Sequence, residues 1–157
     1  MRRKDREIVS EEQIRAILQE AKILHLALMD GEYPYIVPLH YGYVYDSGRL
    51  VFYMHSAKEG HKLDLICANP SACVELECHV ELVSGGDIPC QYGSTYASII
   101  ARGDVALVTD GEEKIAGLAL LMRSQTGRTF NITPQMAASV EVIRFTAASF
   151  SAKGRLM

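Results

Sequence analysis

The chain has 157 residues, of which 48% are hydrophobic, and a formal net charge of −3. This apolar content is enough for the core of one domain, so we expect a single domain over residues 1–157 that includes a basic arm over residues 1–9. The acidic balance argues against nucleic acid as a partner, because a protein that neutralises phosphates needs a basic face. The cations of the arm predict a solvated, partly mobile tail; they are Arg2, Arg3, Lys4 and Arg6.

The apolar segments are too short for a membrane protein. None approaches the roughly 20 apolar residues that a spanning helix requires, and the polar start lacks the apolar core of a signal peptide. We therefore expect a cytoplasmic protein that makes no membrane contact. The cysteines lack C-x-x-C spacing, which predicts reduced thiols that mostly fill the core; they are Cys67, Cys73, Cys78 and Cys90.

The first third of the chain predicts one helix followed by strands. Ser10 is placed to cap a helix over residues 11–22, which is followed by an apolar strand over residues 23–29 and the turn Asp30-Gly31. The aromatic and β-branched residues 35–45 predict one long strand, interrupted at Pro38. Because proline cannot donate to a strand ladder, Pro38 marks a sheet edge, a bulge or a place where something other than a strand faces the backbone.

A second helix start is predicted at the end of the next strand, residues 49–55, which the turn at residues 46–48 joins to the preceding strand. Ser56 and Glu59 have the spacing of a capping box, and Lys58 and Lys62 would then lie on one helical face. The free N–H groups of such a terminus attract anions, so the segment predicts a site for a phosphorylated ligand. The alternative is a capped surface helix with two solvated lysines. In either case the helix ends before Pro70.

The rest of the chain predicts three more strands and a third helix. Residues 72–82 alternate, with the apolar side chains on one face, and residues 96–108 form a strand whose polar face suits a ligand or a partner subunit. Asp110 starts a helix whose inner face is predicted to carry Ile115, Leu118, Ala119 and Met122, and residues 140–150 supply the last strand. About six strands and three helices favour an α+β, mainly β fold with an antiparallel sheet or barrel.

A metal site is not expected from these motifs. Cys78 and His79 are adjacent on an alternating strand, so their side chains point to opposite faces and cannot share a metal without a bulge. A cysteine nucleophile also lacks a local motif, and Cys90 is only the most exposed candidate.

At this point the chain resembles the FMN-binding split-barrel proteins related to pyridoxamine 5′-phosphate oxidase, in particular their 5-nitroimidazole-resistance branch. Four segments carry the resemblance in order: Met1-Arg2-Arg3-Lys4-Asp5-Arg6-Glu7-Ile8, Tyr35-Ile36-Val37-Pro38-Leu39-His40-Tyr41 with Tyr43, Phe52-Tyr53-Met54-His55-Ser56-Ala57 with Gly60 and Lys62, and Tyr96-Ala97-Ser98-Ile99-Ile100-Ala101-Arg102-Gly103. Together they cover nearly the whole chain. Many relatives have a small polar residue where this chain has His40, and they often lack a histidine at His61.

The resemblance implies a six-stranded antiparallel split barrel that forms a homodimer with FMN at the subunit interface. By matching position, Val37, Pro38, Leu39 and His40 would run beside the isoalloxazine ring. His55, Ser56 and Lys62 would meet the phosphate end or the approach to the ring, and Ser98, with Ile99 or Arg102, would close the pocket. His55 is the candidate catalytic residue, as a group that positions the substrate.

The function so implied is an FMN-dependent oxidoreductase that passes electrons from a reduced donor to a small acceptor such as a nitroaromatic. NADH or NADPH would bind transiently, since the chain has no G-x-G-x-x-G motif after a strand. Stacking surfaces could come from Tyr41, Tyr43 or Tyr96. Two alternatives stay open at this point: a flavin-binding module without turnover, and a haem-binding split barrel.

Overall fold

The computed structural model describes residues 3–155 as one antiparallel sheet with four α-helices around it. The strands are β1 (Glu7–Ile8), β2 (Ile23–Asp30), β3 (Tyr33–His40), β4 (Gly42–Asp46), β5 (Arg49–Ser56), β6 (Ser71–Val83), β7 (Gly93–Leu107) and β8 (Glu141–Arg155). The helices are α1 (Glu11–Glu20), α2 (His61–Ala68), α3 (Gly111–Thr126) and α4 (Pro134–Ala138). Met1 and Arg2, at the start of the predicted arm, lie outside the described residues.

The strands follow the order β3-β2-β6-β7-β8-β5-β4, and β1 pairs with β8. The predicted antiparallel, mainly β architecture is confirmed, but the sheet has eight strands rather than six. One of the additional strands comes from the basic arm, where Glu7 and Ile8 pair with Lys153 and Ala152. The prediction of a mobile tail is therefore wrong for this part of the arm, because the edge of β8 offers it hydrogen-bonding partners.

Two helix starts are where their caps predict them. The backbone N–H of Gln13 donates to the hydroxyl of Ser10, and the N–H of Glu113 donates to the carboxylate of Asp110 at 2.8 Å. The third helix ends at Gly127, whose φ of +71° suits glycine at a helix C-terminus.

The helix start predicted at Ser56 is wrong. Ser56 is the last residue of β5, where it pairs with Glu141, and its hydroxyl donates to the carbonyl of Ala57 at 2.7 Å. The helix begins at His61 instead, after Gly60, whose φ of +143° favours glycine. Continued strand pairing through Ser56 outweighs the local capping motif. Lys58 consequently lies in the connecting loop and does not share a helical face with Lys62.

The prediction of one long strand over residues 35–45 is also wrong, because β3 ends at His40 and β4 begins at Gly42. Tyr41, between them, is fully buried, and its hydroxyl contacts the carbonyl oxygens of Leu18 and Ala21 at 2.9 and 3.0 Å. Pro38 does not interrupt the strand, but it lies on the edge strand β3, one of the positions that proline predicts.

Strand β6 departs from the predicted alternation near its end. Cys78 is paired with Ala97 but Glu81 with Thr95, so the register shifts by a bulge between them, and His79 has a φ of +56°. Val80 and Leu82, which were predicted to face the core, are 63% and 75% exposed. The argument against a shared metal ion assumed a regular strand, in which the side chains of Cys78 and His79 point to opposite faces. Because of the bulge, that assumption does not hold here.

The face that α3 turns to the sheet differs from the predicted one. Gly117 and Leu121 are its buried residues, whereas the predicted inner residues Ile115, Leu118, Ala119 and Met122 are only half-buried. Helix α4 was not predicted; Thr133 caps it, accepting a hydrogen bond from the N–H of Met136.

The buried hydrophobic residues on the inner faces of the strands pack with those of α1 and α2 in one core cluster. The two helices contribute Ile14, Ile17, Leu18, Leu63 and Ile66. The cysteines contribute less to it than predicted. All four are free thiols, but Cys67 and Cys90 are exposed. No helix within residues 3–155 is long and apolar enough to cross a bilayer.

Candidate functional site

One face of the sheet, formed by β3, β2, β6 and β7, is not covered by a helix over most of its area. The strand registers place the following residues on it: Ile23, His25, Ala27 and Met29; Pro34, Ile36, Pro38 and His40; Cys73, Glu75 and Glu77; and Ser98, Ile100 and Arg102. We call it the open face. Its apolar members are well exposed, with Ile36 at 57% and Ile100 at 39%.

The open face brings together four of the residues that the resemblance assigns to the cofactor: Pro38, His40, Ser98 and Arg102. Pro38 pairs with His25 on β2, and that residue pairs in turn with Glu75 on β6. Three strand spacings, about 14 Å, therefore separate β3 from β7. Pro38, His40 and Arg102 are exposed and line a surface rather than a closed pocket within one protomer, whereas Ser98 is buried. A cavity of about 280 Å³ lies at its β7–β8 end, lined by Glu7, Ser98, Ile100, Ser151 and Lys153.

Three other predicted cofactor residues point away from the open face. Ile99 is fully buried in the core, and Val37 and Leu39 are half-buried against it. Their side chains cannot meet a ligand that lies on the open face. Their backbone groups are also not free for a ligand, because the outward N–H and C=O groups of the edge strand β3 belong to alternate residues. Pro38, which has no N–H, fits such an outward position, so the backbone groups of its neighbours Val37 and Leu39 point toward β2.

The remaining predicted residues, His55, Ser56 and Lys62, lie where β5 leads into α2. His55 is exposed and pairs with Val142, Ser56 is buried, and Lys62 is half-buried in the first turn of α2. A cavity of about 470 Å³ lies between α2, β7, α3 and the start of β8, and two of its lining residues, Lys58 and Lys114, carry positive charge. Lys114 forms an ion pair with Glu141 at 3.1 Å.

The two histidines that depart from the family pattern both have partners inside the protein. His61 contacts the carboxylate of Asp30 at 2.7 Å and packs edge-on against Tyr35. The ring of His40 hydrogen-bonds to the carbonyl oxygen of Lys22 at 3.0 Å. These contacts tie α2 to the β2–β3 hairpin and tie the end of β3 to the segment after α1.

A further cavity, between α1, β4 and α3, was not predicted from the sequence, because its lining residues are far apart in the chain. It has a volume of about 760 Å³ and is lined from α1, β4 and α3 by Arg15, Gln19, Lys22, Tyr43, Tyr45, Leu120, Arg123 and residues 124–127. Arg15 donates to the carbonyl of Tyr45, and Lys22 donates to those of Gln19 and Ser124. Of the three tyrosines proposed for stacking, Tyr43 lines this cavity and Tyr96 is half-buried, whereas the burial of Tyr41 excludes it.

A cluster of ionisable groups occupies the middle of the open face. The ring of His25 lies 3.3 Å from the carboxylate of Glu75, and Glu77 is on the same strand two residues away. Burial, followed by the hydrogen bond and charge of Glu77, raises the pKa of Glu75 to about 7, although His25 acts in the opposite direction. The open face therefore carries a carboxyl group that is easily protonated.

Comparison with known proteins identifies the family. The family model described as pyridoxamine 5′-phosphate oxidase matches residues 10–154. The chain belongs to this family. No curated protein is significantly similar to this member of the pyridoxamine 5′-phosphate oxidase family in sequence.

Solved structures of similar fold agree with this assignment to the pyridoxamine 5′-phosphate oxidase family. A candidate 5-nitroimidazole antibiotic resistance protein from Bacteroides thetaiotaomicron has a TM-score of 0.77 at 27% identity, over 94% of this chain and 86% of that one. It belongs to the branch that the sequence motifs resemble. The FAD and haem binding protein from Mycobacterium smegmatis has a TM-score of 0.78 at 16% identity, over 97% and 74% of the two chains. An FAD-binding protein from Mesorhizobium loti has a TM-score of 0.64 at 19% identity, over 94% and 96%. The fold is the split barrel of this family.

Proposed function

We propose that the protein is an FMN-dependent oxidoreductase that passes electrons from a reduced donor to a small acceptor such as a nitroaromatic. The observation that carries the proposal is the open face, where Pro38, His40, Ser98 and Arg102 accompany exposed apolar side chains. A flavin ring is flat, largely apolar and polar along one edge, and FMN ends in a dianionic phosphate. An uncovered sheet face with apolar, hydrogen-bonding and cationic groups suits such a ligand.

The cofactor would be held by groups of different kinds. The side chains of Pro38 and His40 would run beside the ring, Val37 and Leu39 would hold β3 in place from the core side, and Ser98 and Arg102 would close the site from β7. Lys62 would meet the phosphate with a charge-assisted hydrogen bond. When bound, the flavin supplies the two-electron transfer; the protein orients the ring and excludes water.

His55 is the residue that we assign to positioning the acceptor. Its ring is exposed at the end of β5, beside the buried Ser56, so a small molecule can reach it. We expect His55→Ala to lower the rate of acceptor reduction at saturating flavin while the fraction of flavin retained stays unchanged. Turnover equal to that of the parent would remove His55 from the reaction.

We further propose that the site is completed by a second copy of the chain, with FMN at the subunit interface. The predicted cofactor residues line a surface within one protomer, and the exposed isoleucines of the open face would be buried by a partner. The lack of a membrane-spanning helix within residues 3–155 and the four free thiols suit a cytoplasmic location.

Two other functions fit parts of the same observations. A flavin-binding module without turnover would use the same open face, and NADH or NADPH oxidation is what separates it from the enzyme. Haem is the third candidate, because the neighbour from Mycobacterium smegmatis is described as binding FAD and haem.

The first experiment is an absorption spectrum of the purified protein, before and after FMN is added and the excess is removed by gel filtration. A retained flavin band, followed by NADH or NADPH oxidation that depends on a nitroaromatic acceptor, supports the enzyme. A retained flavin with no turnover over a panel of donors and acceptors supports the module. A colourless protein that takes up no FMN contradicts the proposal, and a Soret band replaces it with haem binding.

A further inference from the structure

The bulge in β6 changes what two adjacent residues can do together. In a regular strand Cys78 and His79 would point to opposite faces. Here the register moves from Cys78 opposite Ala97 to Glu81 opposite Thr95, and His79 has a φ of +56°. The buried hydroxyl of Thr95 donates to the carbonyl of His79 at 2.8 Å and fixes this conformation. Bulges of this kind re-aim side chains.

The re-aimed side chains meet the end of helix α1. The Nε2 atom of His79 lies 2.7 Å from a carboxylate oxygen of Glu20, the last residue of that helix. The Sγ atom of Cys78, the ring nitrogen of His79 and the carboxylate oxygen of Glu20 all lie within 4.8 Å of one another. One sulfur, one nitrogen and one oxygen donor therefore converge from two elements that are far apart in the chain.

We propose that Glu20, Cys78 and His79 form a binding site for a divalent cation of the zinc class. Zn²⁺ accepts thiolate, imidazole and carboxylate ligands, and sites with three protein ligands keep a fourth position for water or another ligand. The site is independent of the flavin proposal, since none of its residues is on the open face.

The distance between His79 and Glu20 allows a cation to take the place of the hydrogen bond between them. Zinc at 2.0 to 2.2 Å from nitrogen and oxygen in a tetrahedron separates the two atoms by about 3.3 Å. The contact between His79 and Glu20 at 2.7 Å has to open by only about 0.6 Å. Both side chains are roughly half-exposed, at 47% and 48%, so they have room to move and the ion has a path from solvent.

The charge around the sulfur also favours a cation. The carboxylates of Glu20 and Glu77 both lie near the Cys78 thiol. The carboxylates that disfavour a bare thiolate attract a dication, and a thiol that coordinates a metal is deprotonated by it. On binding, the thiol proton passes to solvent, and His79 coordinates the ion through Nε2 as the neutral imidazole.

A second group of potential ligands, His25, Glu75 and Glu77, lies on the open face and belongs to the site already described. It contains no sulfur. This difference makes the test specific, because a thiolate bound to Co²⁺ gives an intense charge-transfer absorption band and imidazole and carboxylate ligands do not.

The experiment is a Co²⁺ titration of the metal-stripped full-length protein in the presence of a phosphine reductant. We expect the charge-transfer band to saturate at one equivalent and to be bleached by Zn²⁺. In Cys78→Ser the band should be absent, and in Glu20→Gln and His79→Asn the affinity for Co²⁺ should fall at least tenfold. Asparagine tolerates positive φ, so His79→Asn preserves the bulge.

The matched controls are Cys73→Ser, which removes a different half-buried thiol of β6, and His25→Ala, which disrupts the sulfur-free group; both should keep the parent band. The absence of a band in the parent overturns the proposal, as does a band that survives in Cys78→Ser. Circular dichroism of each variant shows whether the fold is retained. If His79→Asn does not fold, Glu20→Gln decides the same point from the other element.

Discussion

At the scale of single residues, the cationic side chains divide into those with internal partners and those available to a ligand. Arg15 and Lys22, which line the cavity between α1, β4 and α3, donate hydrogen bonds to backbone carbonyls. Arg144 is bound to Glu113 at 2.8 Å and Lys114 to Glu141. Lys62, in the first turn of α2, has no such ion pair among the described residues. Because the family resemblance places Lys62 at the phosphate end of the cofactor, it is the cation that we assign to the phosphate.

We expect Lys62→Ala to weaken FMN binding roughly ten- to a hundredfold, because a charge-assisted hydrogen bond contributes about 1.5–3 kcal/mol. Fluorescence titration of the apoprotein with FMN measures the dissociation constant. The matched control is Arg123→Ala, which removes a cation of the cavity between α1, β4 and α3. A larger loss of affinity in Arg123→Ala than in Lys62→Ala would place the phosphate in that cavity instead.

The carboxyl group of Glu75 gives the protein a pH dependence of a particular sign. Its pKa rises from 4.5 to about 7 on folding, so between these values the folded protein holds a proton that the unfolded chain has lost. The free energy of unfolding should therefore fall as pH rises through this range and level off above it. After allowance for solvent screening, the loss is about 1 kcal/mol.

The corresponding variant is Glu75→Gln, in which this part of the pH dependence should disappear. Urea denaturation at pH 5 and pH 8 measures the free energy of unfolding of both proteins. Between these pH values the free energy should fall less in the variant than in the parent. Parallel pH profiles would contradict the assignment. Glu12→Gln, on the exposed face of α1, is the control for loss of one negative charge.

At the scale of elements, α3 packs directly against the backbone of β4. A Cβ atom added at Gly42 would lie 2.3 Å from the backbone nitrogen of Leu121, and one at Gly117 would lie 2.7 Å from the ring of Tyr53. The hydroxyl of Tyr53 donates to Glu113 on the same helix at 3.0 Å. Glycine on both sides of the contact therefore sets the distance between α3 and the sheet.

We expect Gly42→Ala to destabilise the protein by about 1–3 kcal/mol, because backbone atoms have to move to admit the methyl group. Thermal denaturation measures the loss. Gly111→Ala is the matched control, since a Cβ atom there meets nothing within 4 Å and its φ is not positive. A melting temperature unchanged in Gly42→Ala would mean that α3 does not sit this close to β4.

At the scale of the whole molecule, the open face is the sheet face that has no second layer packed on most of it within one protomer. The other face of the sheet is buried in the core, and α3 covers the strands β4 and β5. Hydrophobic side chains on the open face are exposed together rather than singly; they include Ile23, Met29, Ile36 and Ile100. Such a surface favours association, and a second copy is the partner that we propose.

We expect the parent protein to sediment as a dimer and Ile36→Lys to sediment as a monomer that retains little FMN, because the partner would bury an unpaired charge. Sedimentation velocity measures the oligomeric state. Met136→Lys is the control: its side chain is 55% exposed, close to the 57% of Ile36, but it lies on α4. A monomeric parent that binds FMN fully would refute the shared site.

The features that depended on neighbours a few residues away were predictable from the sequence. The caps at Ser10 and Asp110, the β4–β5 hairpin and the edge position of Pro38 are local or nearly local, because a hydroxyl, a carboxylate or a missing N–H acts within one turn or one pair of strands. The family followed from motifs whose order and spacing are written in the chain.

Other features required the tertiary structure. Ser56 has a good capping motif but continues a strand, because Glu141, distant in sequence, pairs with it. The bulge that turns Cys78 and His79 toward Glu20 depends on the pairing of β6 with β7 and on the hydroxyl of Thr95. Residues of the open face come together only through the order of β3, β2, β6 and β7. Long-range pairing decides such arrangements, because its hydrogen bonds and burial together outweigh a single local preference.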